Sequence, residues 1–154
     1  MSRVAPASSE PSLKAAQAAG LDQDMIRRVV HRFYELVRDD PLIGPVFHTR
    51  IPEDHWPQHL DKITAFWSSA LLGTRSYGGR PMPKHQAIAE LEDAHFRRWL
   101  ALLRHTVTLL CPPPVAAVFI ARSERMAEAF RTNLSMHRSA VPTFLRPLER
   151  EDYP

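Results

Sequence analysis

The segment YGGRPMPKHQAIAELEDAHFRRW, residues 77–99, is the part of the chain from which the fold is best worked out. Pro81 and Pro83 restrict the backbone just before His85, and a helical pattern begins at this histidine. A second helical pattern follows, on which Phe96 and Trp99 lie one turn apart. A histidine on stiff backbone, facing aromatic side chains from a neighbouring helix, could offer one axial ligand to a flat cofactor. We therefore expect the remaining helices to build a pocket over His85.

The composition is that of one ordinary globular domain. The 154 residues are 44% hydrophobic and 24% charged, and the formal net charge of +3 is too small to indicate a nucleic-acid partner. The single cysteine, Cys111, excludes an intramolecular disulfide and a zinc site built from cysteines. The chain has no signal-peptide pattern and no apolar run near the ~20 residues of a membrane span. We expect a cytoplasmic protein without a membrane partner.

The hydrophobic pattern predicts an all-α fold with five or six helices and no strands. Apolar residues recur at intervals of three and four, which is typical of helices with one buried face. The main helices are predicted over residues 23–38, 53–72, 92–110 and 115–137, with shorter ones over 12–19 and 85–91. Residues 41–47 are predicted to form an apolar corner, residues 48–52 a connector, and the prolines at 112–114 a break in the chain.

Four side chains could carry chemistry together. Tyr34, His59 and Trp99 each lie on the apolar stripe of a different predicted helix, so their hydrogen-bonding groups could meet in one cavity. His85 could supply a metal ligand from the opposite wall of that cavity.

Two alternatives compete with this interpretation. His55 and His59 form an H-x-x-x-H pair, which can bind zinc in a hydrolase, but the residues between them lack a glutamate base and no third ligand is evident. Because every aromatic residue singled out also fits a simple core stripe, a helical interaction protein without a cofactor would have the same pattern.

Five segments in order resemble the group III truncated haemoglobins. They are FYELVRDDPLIGPVF at 33–47, W-x-x-H at 56–59, FW at 66–67, Y-x-G-x-P-M-x-K-H at 77–85 and HFRRWL at 95–100. The match covers residues 26–137 and implies a compact, truncated globin-like helical fold around a haem pocket. We accordingly expect a mobile N-terminal arm over 1–20, a globin-like haem-binding domain over 21–137 and a C-terminal tail over 138–154.

The resemblance also implies roles for individual residues around a haem b cofactor. His85 would be the proximal ligand to the iron, and Tyr34, His59 and Trp99 would form the distal set that stabilises a bound ligand. The remaining cofactor-binding positions would be Phe47, Ile63, Trp67 and Phe96 against the porphyrin, with Tyr77, Arg80 and Lys84 nearest in sequence to the propionates.

The function implied by the resemblance is binding of O₂ and related diatomic ligands at a five-coordinate haem iron. Several hydrogen-bond donors around the ligand would slow its release, which fits chemistry or sensing better than bulk transport. Carriage, nitric-oxide dioxygenation, peroxidase-like activity and sensing all stay open. Redox turnover would also need a reductase partner, which leaves no trace in the sequence.

Overall fold

Within the residues that the computed structural model describes, 11–74, 91–138 and 145–154, every regular element is helical. The α-helices are α1 (Leu13–Ala18), α2 (Gln23–Asp39), α3 (Gly44–Arg50), α4 (Trp56–Leu72), α5 (Asp93–Leu110) and α6 (Pro113–Arg138), and a 3-10 turn (Glu53–His55) leads into α4. This confirms the predicted all-α class. None of these helices has both the length and the apolar character that crossing a bilayer requires. The helix predicted over 85–91 falls, except for Leu91, outside the described residues.

Helix α2 lies at the centre of the packing and contacts α3, α4 and α5. It begins where the Asp22 carboxylate accepts a hydrogen bond from the backbone N–H of Met25 at 2.9 Å, a typical N-cap. Its apolar residues recur every three or four positions, so they form one buried face: Ile26, Val29, Val30, Phe33, Tyr34 and Val37. This face carries Tyr34 into the interior of the protein.

The turn after α2 is fixed by the buried carboxylate of Asp40. Its Oδ2 accepts the backbone N–H groups of Leu42 and Ile43, both at 2.9 Å, while its Oδ1 accepts a hydrogen bond from Arg98 at 2.7 Å. At Gly44, a Cβ atom would stand only 2.8 Å from the carbonyl oxygen of Arg38, so this close approach requires glycine. The corner leads directly into α3.

Two predicted boundaries were wrong. Helix α3 extends over Gly44–Arg50, although we expected an apolar corner followed by a connector there. Helix α6 begins at Pro113 rather than at residue 115. The reason is the same in both cases, because proline is compatible with the first turn of a helix, where its missing N–H has no partner to lose.

The described segments near the two ends of the chain, residues 11–20 and 145–154, pack on the helical core. Ala16 of α1 is fully buried, α1 lies against α6, and the Gln17 side-chain amide donates to the Leu71 carbonyl at 3.2 Å. The described part of the expected mobile arm is therefore a packed helix. In the C-terminal tail, Arg150 forms a two-point ion pair with Glu124 at 2.8 and 3.2 Å.

Candidate functional site

Tyr34 is the centre of a buried group of rings contributed by α2, α3 and α4. Its ring centroid lies 5.8 Å from Phe47, 5.9 Å from Trp56 and 5.8 Å from His59. Trp56 and His59 are also in edge-to-face contact, with 5.4 Å between centroids. We call Tyr34, Phe47, Trp56 and His59 the ring cluster. Its members are apolar over most of their surface but carry an O–H, an indole N–H and an imidazole.

The indole of Trp99, on α5, lowers the pKa of the Tyr34 phenol, as a hydrogen bond to the phenol oxygen does. An indole nitrogen can only donate, so the phenol oxygen is the acceptor and its own hydrogen remains available to another acceptor. Burial raises the pKa of Tyr34 well above its ordinary value of 10.0, while the hydrogen bond from Trp99 acts in the opposite direction. The phenol therefore stays neutral, and it remains a donor, across the physiological pH range.

His59 faces the ring cluster, and His55 does not. The His59 ring is half-buried and stands nearly perpendicular to the rings of Tyr34 and Trp56, at 86° and 89°. His55 is exposed in the 3-10 turn before α4. No group of three potential metal-ligating side chains occurs in the described parts of the chain, so nothing there supports the zinc alternative.

Trp56 is a site residue that the sequence analysis did not select. Its side chain is only 2% exposed, and its indole nitrogen is buried with no hydrogen-bond acceptor among the described residues. The guanidinium of Arg38 lies 4.5 Å from the centre of the ring, and Arg38 is itself bonded to Glu53. The position of Trp56 one turn before His59 was a signal that it shares the same face of α4.

The other predicted cofactor contacts are distributed over the core. Ile63 is half-buried one turn after His59, and Trp67 packs against Phe119 with 4.9 Å between ring centroids. Phe96 belongs to a second cluster of buried apolar side chains, and Phe47 and Trp99 pack against this cluster. The predicted positions Tyr77, Arg80, Lys84 and His85 lie outside the described residues.

The ring cluster has the properties that a flat, mostly apolar cofactor requires. Aromatic edges and faces provide an apolar surface, while a small number of polar hydrogens can orient a bound group. The buried N–H of Trp56 and the remaining O–H of Tyr34 are donors available to an added acceptor. The residues present thus fit a haem group carrying a small ligand.

The comparisons with known proteins all indicate the same kind of protein. A family profile described as bacterial-like globin matches residues 17–131. A group 3 truncated haemoglobin of Campylobacter jejuni is 30% identical over 116 residues, covering 74% of this chain and 91% of that protein. The crystal structure of a group III truncated haemoglobin from Campylobacter jejuni, also at 30% identity, superposes with a TM-score of 0.71 and the same coverage of both chains. A group 1 truncated haemoglobin of Nostoc commune is 31% identical over 74 residues, which are 48% of this chain and 59% of that protein.

Proposed function

Because the chain belongs to the bacterial-like globins, and within them to the group III truncated haemoglobins, we propose that its haem binds O₂ and related diatomic ligands under the control of Tyr34. The cofactor of this family is haem, which supplies the iron atom to which such a ligand attaches. A cofactor-free helical protein, which the core stripes alone would allow, is therefore not supported.

The observation that carries the proposal is the position of Tyr34, a buried phenol surrounded by the rings of Phe47, Trp56 and His59. The indole N–H of Trp99, which lowers the pKa of this phenol, would hold the phenol oxygen from one side and leave the phenol hydrogen to donate to a ligand in the ring cluster. Because burial keeps the phenol neutral, this donor is present at every physiological pH. A hydrogen bond to a ligand that gains negative charge is worth about 1.5–3 kcal/mol.

His59 is the second group that would act on the ligand. Its ring stands 5.8 Å from that of Tyr34, centroid to centroid, so both side chains face the same space. A neutral imidazole can donate through one nitrogen, and a protonated one can also deliver a proton to a bound oxygen species. In this proposal Tyr34 retains the bound ligand, His59 supplies protons and Trp99 positions the phenol of Tyr34.

The proximal side of the proposed site comes from the resemblance to the family. His85 would ligate the iron, with Tyr77, Arg80 and Lys84 near the propionates, and the apolar contacts would come from Phe47, Ile63, Trp67 and Phe96. The location of Phe47 in the ring cluster supports its part in this assignment.

Slow ligand release follows from a buried and oriented donor. It suits sensing, or redox chemistry with nitric oxide or peroxide, better than transport that requires rapid unloading. Redox turnover would use His59 as the proton source and would need electrons from a separate reductase, which is a partner that we propose only for that case.

Stopped-flow measurement of O₂ dissociation from the ferrous protein tests the proposal. We expect Tyr34→Phe to raise the dissociation rate constant about 10- to 100-fold, since it deletes one charge-assisted hydrogen bond. Tyr153→Phe is the matched control, because Tyr153 is an exposed phenol in the C-terminal tail and stacks on His105 rather than on the ring cluster. Equal rates for wild type and Tyr34→Phe would reject Tyr34 as the ligand-holding donor.

A further inference from the structure

The indole nitrogen of Trp56 is a buried donor without an acceptor. Buried polar hydrogens in native proteins nearly always have a partner, because removing them from water without compensation is unfavourable. The other indole of the site, that of Trp99, follows this rule by donating to Tyr34. The exception at Trp56 therefore calls for an acceptor that the described residues do not supply.

The surroundings of Trp56 hold its ring in place. Arg38 covers the ring at 4.5 Å, and its guanidinium is bonded to Glu53. The backbone carbonyl of Arg38 is in turn 2.9 Å from the Nε2 atom of His48, which secures this residue at a second point. Since the indole is 2% exposed and packed on several sides, it cannot turn its N–H to solvent without breaking these contacts.

Trp56 also lies close to the other members of the ring cluster. Ring centroids lie 5.9 Å away at Tyr34, 6.4 Å at Phe47 and 5.4 Å at His59. Two of these residues are those proposed above to act on the ligand. The indole ring that carries the unpaired N–H thus borders the residues proposed to act on the ligand.

We propose that the indole N–H of Trp56 donates a hydrogen bond to an oxygen atom that arrives with the haem, either on a haem carboxylate or on the diatomic ligand. The inference rests on the proposed function and adds a residue to its site. It makes Trp56 a haem-site donor, in addition to a packing residue of α4.

The proposal predicts that one substitution affects the haem-loaded protein but hardly affects the haem-free protein. In the haem-free protein the N–H has no partner, so replacing Trp56 with Phe removes an unfavourable group at the expense of some packing. In the haem-loaded protein the same change removes a hydrogen bond. Trp56→Phe should therefore weaken haem or ligand binding while leaving the stability of the haem-free protein nearly unchanged.

The rate of haem transfer to an excess of a tighter-binding apoglobin measures haem binding. Urea unfolding of the haem-free protein measures its stability. If the acceptor is a haem carboxylate, Trp56→Phe should accelerate transfer from the ferric, ligand-free protein about tenfold. If the acceptor is the ligand, transfer should be unchanged, but the CO stretching frequency of the ferrous complex should rise and O₂ dissociation should accelerate by a similar factor.

Ser68→Ala is the matched control. The Ser68 hydroxyl is also fully buried without a partner in the structure, but it lies three turns of α4 beyond Trp56. Its removal should leave haem transfer and the CO stretch unaltered. The proposal is overturned if Trp56→Phe also leaves both unaltered, or if it lowers the urea midpoint of the haem-free protein enough to account for the faster haem transfer.

Nitrogen-15 NMR of the indole groups gives a readout that does not depend on the stability of a variant. The three tryptophans give three indole signals, and the one lost in Trp56→Phe identifies Trp56. Hydrogen exchange at this N–H should slow when haem, or haem with CO, is bound, and an unchanged exchange rate would contradict the proposal. Failure of the wild type to bind haem would instead overturn the proposed function, so the two failures are distinguishable.

Discussion

In the proposed site, Tyr34 and Trp99 act in series rather than side by side. The prediction that both surround one cavity with His59 stays a prediction, although the rings of Tyr34 and His59 lie 5.8 Å apart and Trp99 lowers the pKa of the Tyr34 phenol. It treated all three as independent donors to a ligand. The order of donation depends on side-chain rotamers and on the position of α5 against α2, and neither can be obtained from helical periodicity.

Trp56 shows a second limit of prediction from sequence. Its place on the apolar stripe of α4 was predicted, but an aromatic residue on such a stripe is most simply a core residue. Only the structure reveals that its N–H is buried without an acceptor and that Arg38 lies over its ring. Whether a buried N–H has an acceptor depends on the atoms around it in three dimensions.

The ionisation of Tyr34 provides a prediction about pH. Burial raises the pKa of its phenol above the ordinary value, so Tyr34 should ionise only at a pH higher than an ordinary phenol requires. The unfolded chain ionises at its lower, ordinary pKa of about 10, so the stability that the neutral phenol contributes is complete below that pH and is lost as pH rises beyond it. Ultraviolet titration of tyrosinate should show a late step that is missing in Tyr34→Phe. An identical titration curve for the variant, apart from its amplitude, would contradict the burial of this phenol.

A network of charged side chains joins α5 to the corner after α2 and to the C-terminal tail. Arg98 donates to Asp40 at 2.7 Å and to Glu151 at 2.8 Å, and Arg104 donates to the Glu151 carbonyl at 2.9 Å. These hydrogen bonds hold the pKa of Arg98 above its ordinary value, with the larger contribution from Glu151. Arg98 is the residue before Trp99, so the tail helps to hold the part of α5 that reaches Tyr34.

Glu151→Gln should therefore lower the thermal stability of the protein. The pair with Arg98 is partly exposed, so we expect a loss of about 0.5–1 kcal/mol in the free energy of unfolding. Calorimetry of wild type and variant checks this value. Glu149→Gln removes an exposed carboxylate from the same tail and should be nearly neutral. A Glu151 variant as stable as the Glu149 variant would mean that the tail contact contributes nothing.

Helix positions were predictable to a useful degree, and long-range ion pairs were not. The cap at Asp22 and the glycine at Gly73, which has a φ of +70°, mark helix ends that agree with the predicted ones. The pairing of Arg98 with Glu151 joins positions 53 residues apart, and a charge pattern contains no information on such a partner.

The described helices form the part of the protein in which we expect haem to bind. The family establishes the cofactor, and the ring cluster offers aromatic surface with an unpaired donor at Trp56. The resemblance assigns the iron ligand to His85, which lies outside the described residues. The overall fold class and the cofactor followed from ordered motifs, whereas the packing of residues 11–20 and of the tail required three dimensions.

His85→Ala tests whether His85 is the iron ligand. Loss of the only proposed protein bond to the iron should markedly lower the haem content of the purified protein and change the Soret absorption. His31→Ala is the control, because His31 is exposed on α2. Full haem content with unchanged spectra in His85→Ala would exclude His85 as the ligand.

A double-mutant cycle on O₂ dissociation tests the central claim, that Trp99 acts on the ligand through Tyr34. The claim predicts that Trp99→Phe raises the dissociation rate constant about three- to tenfold in the presence of Tyr34 and has little further effect in the Tyr34→Phe background. If the two substitutions instead multiply, so that the double variant releases O₂ faster than Tyr34→Phe by the full factor of Trp99→Phe, then Trp99 is an independent donor and the series arrangement is contradicted.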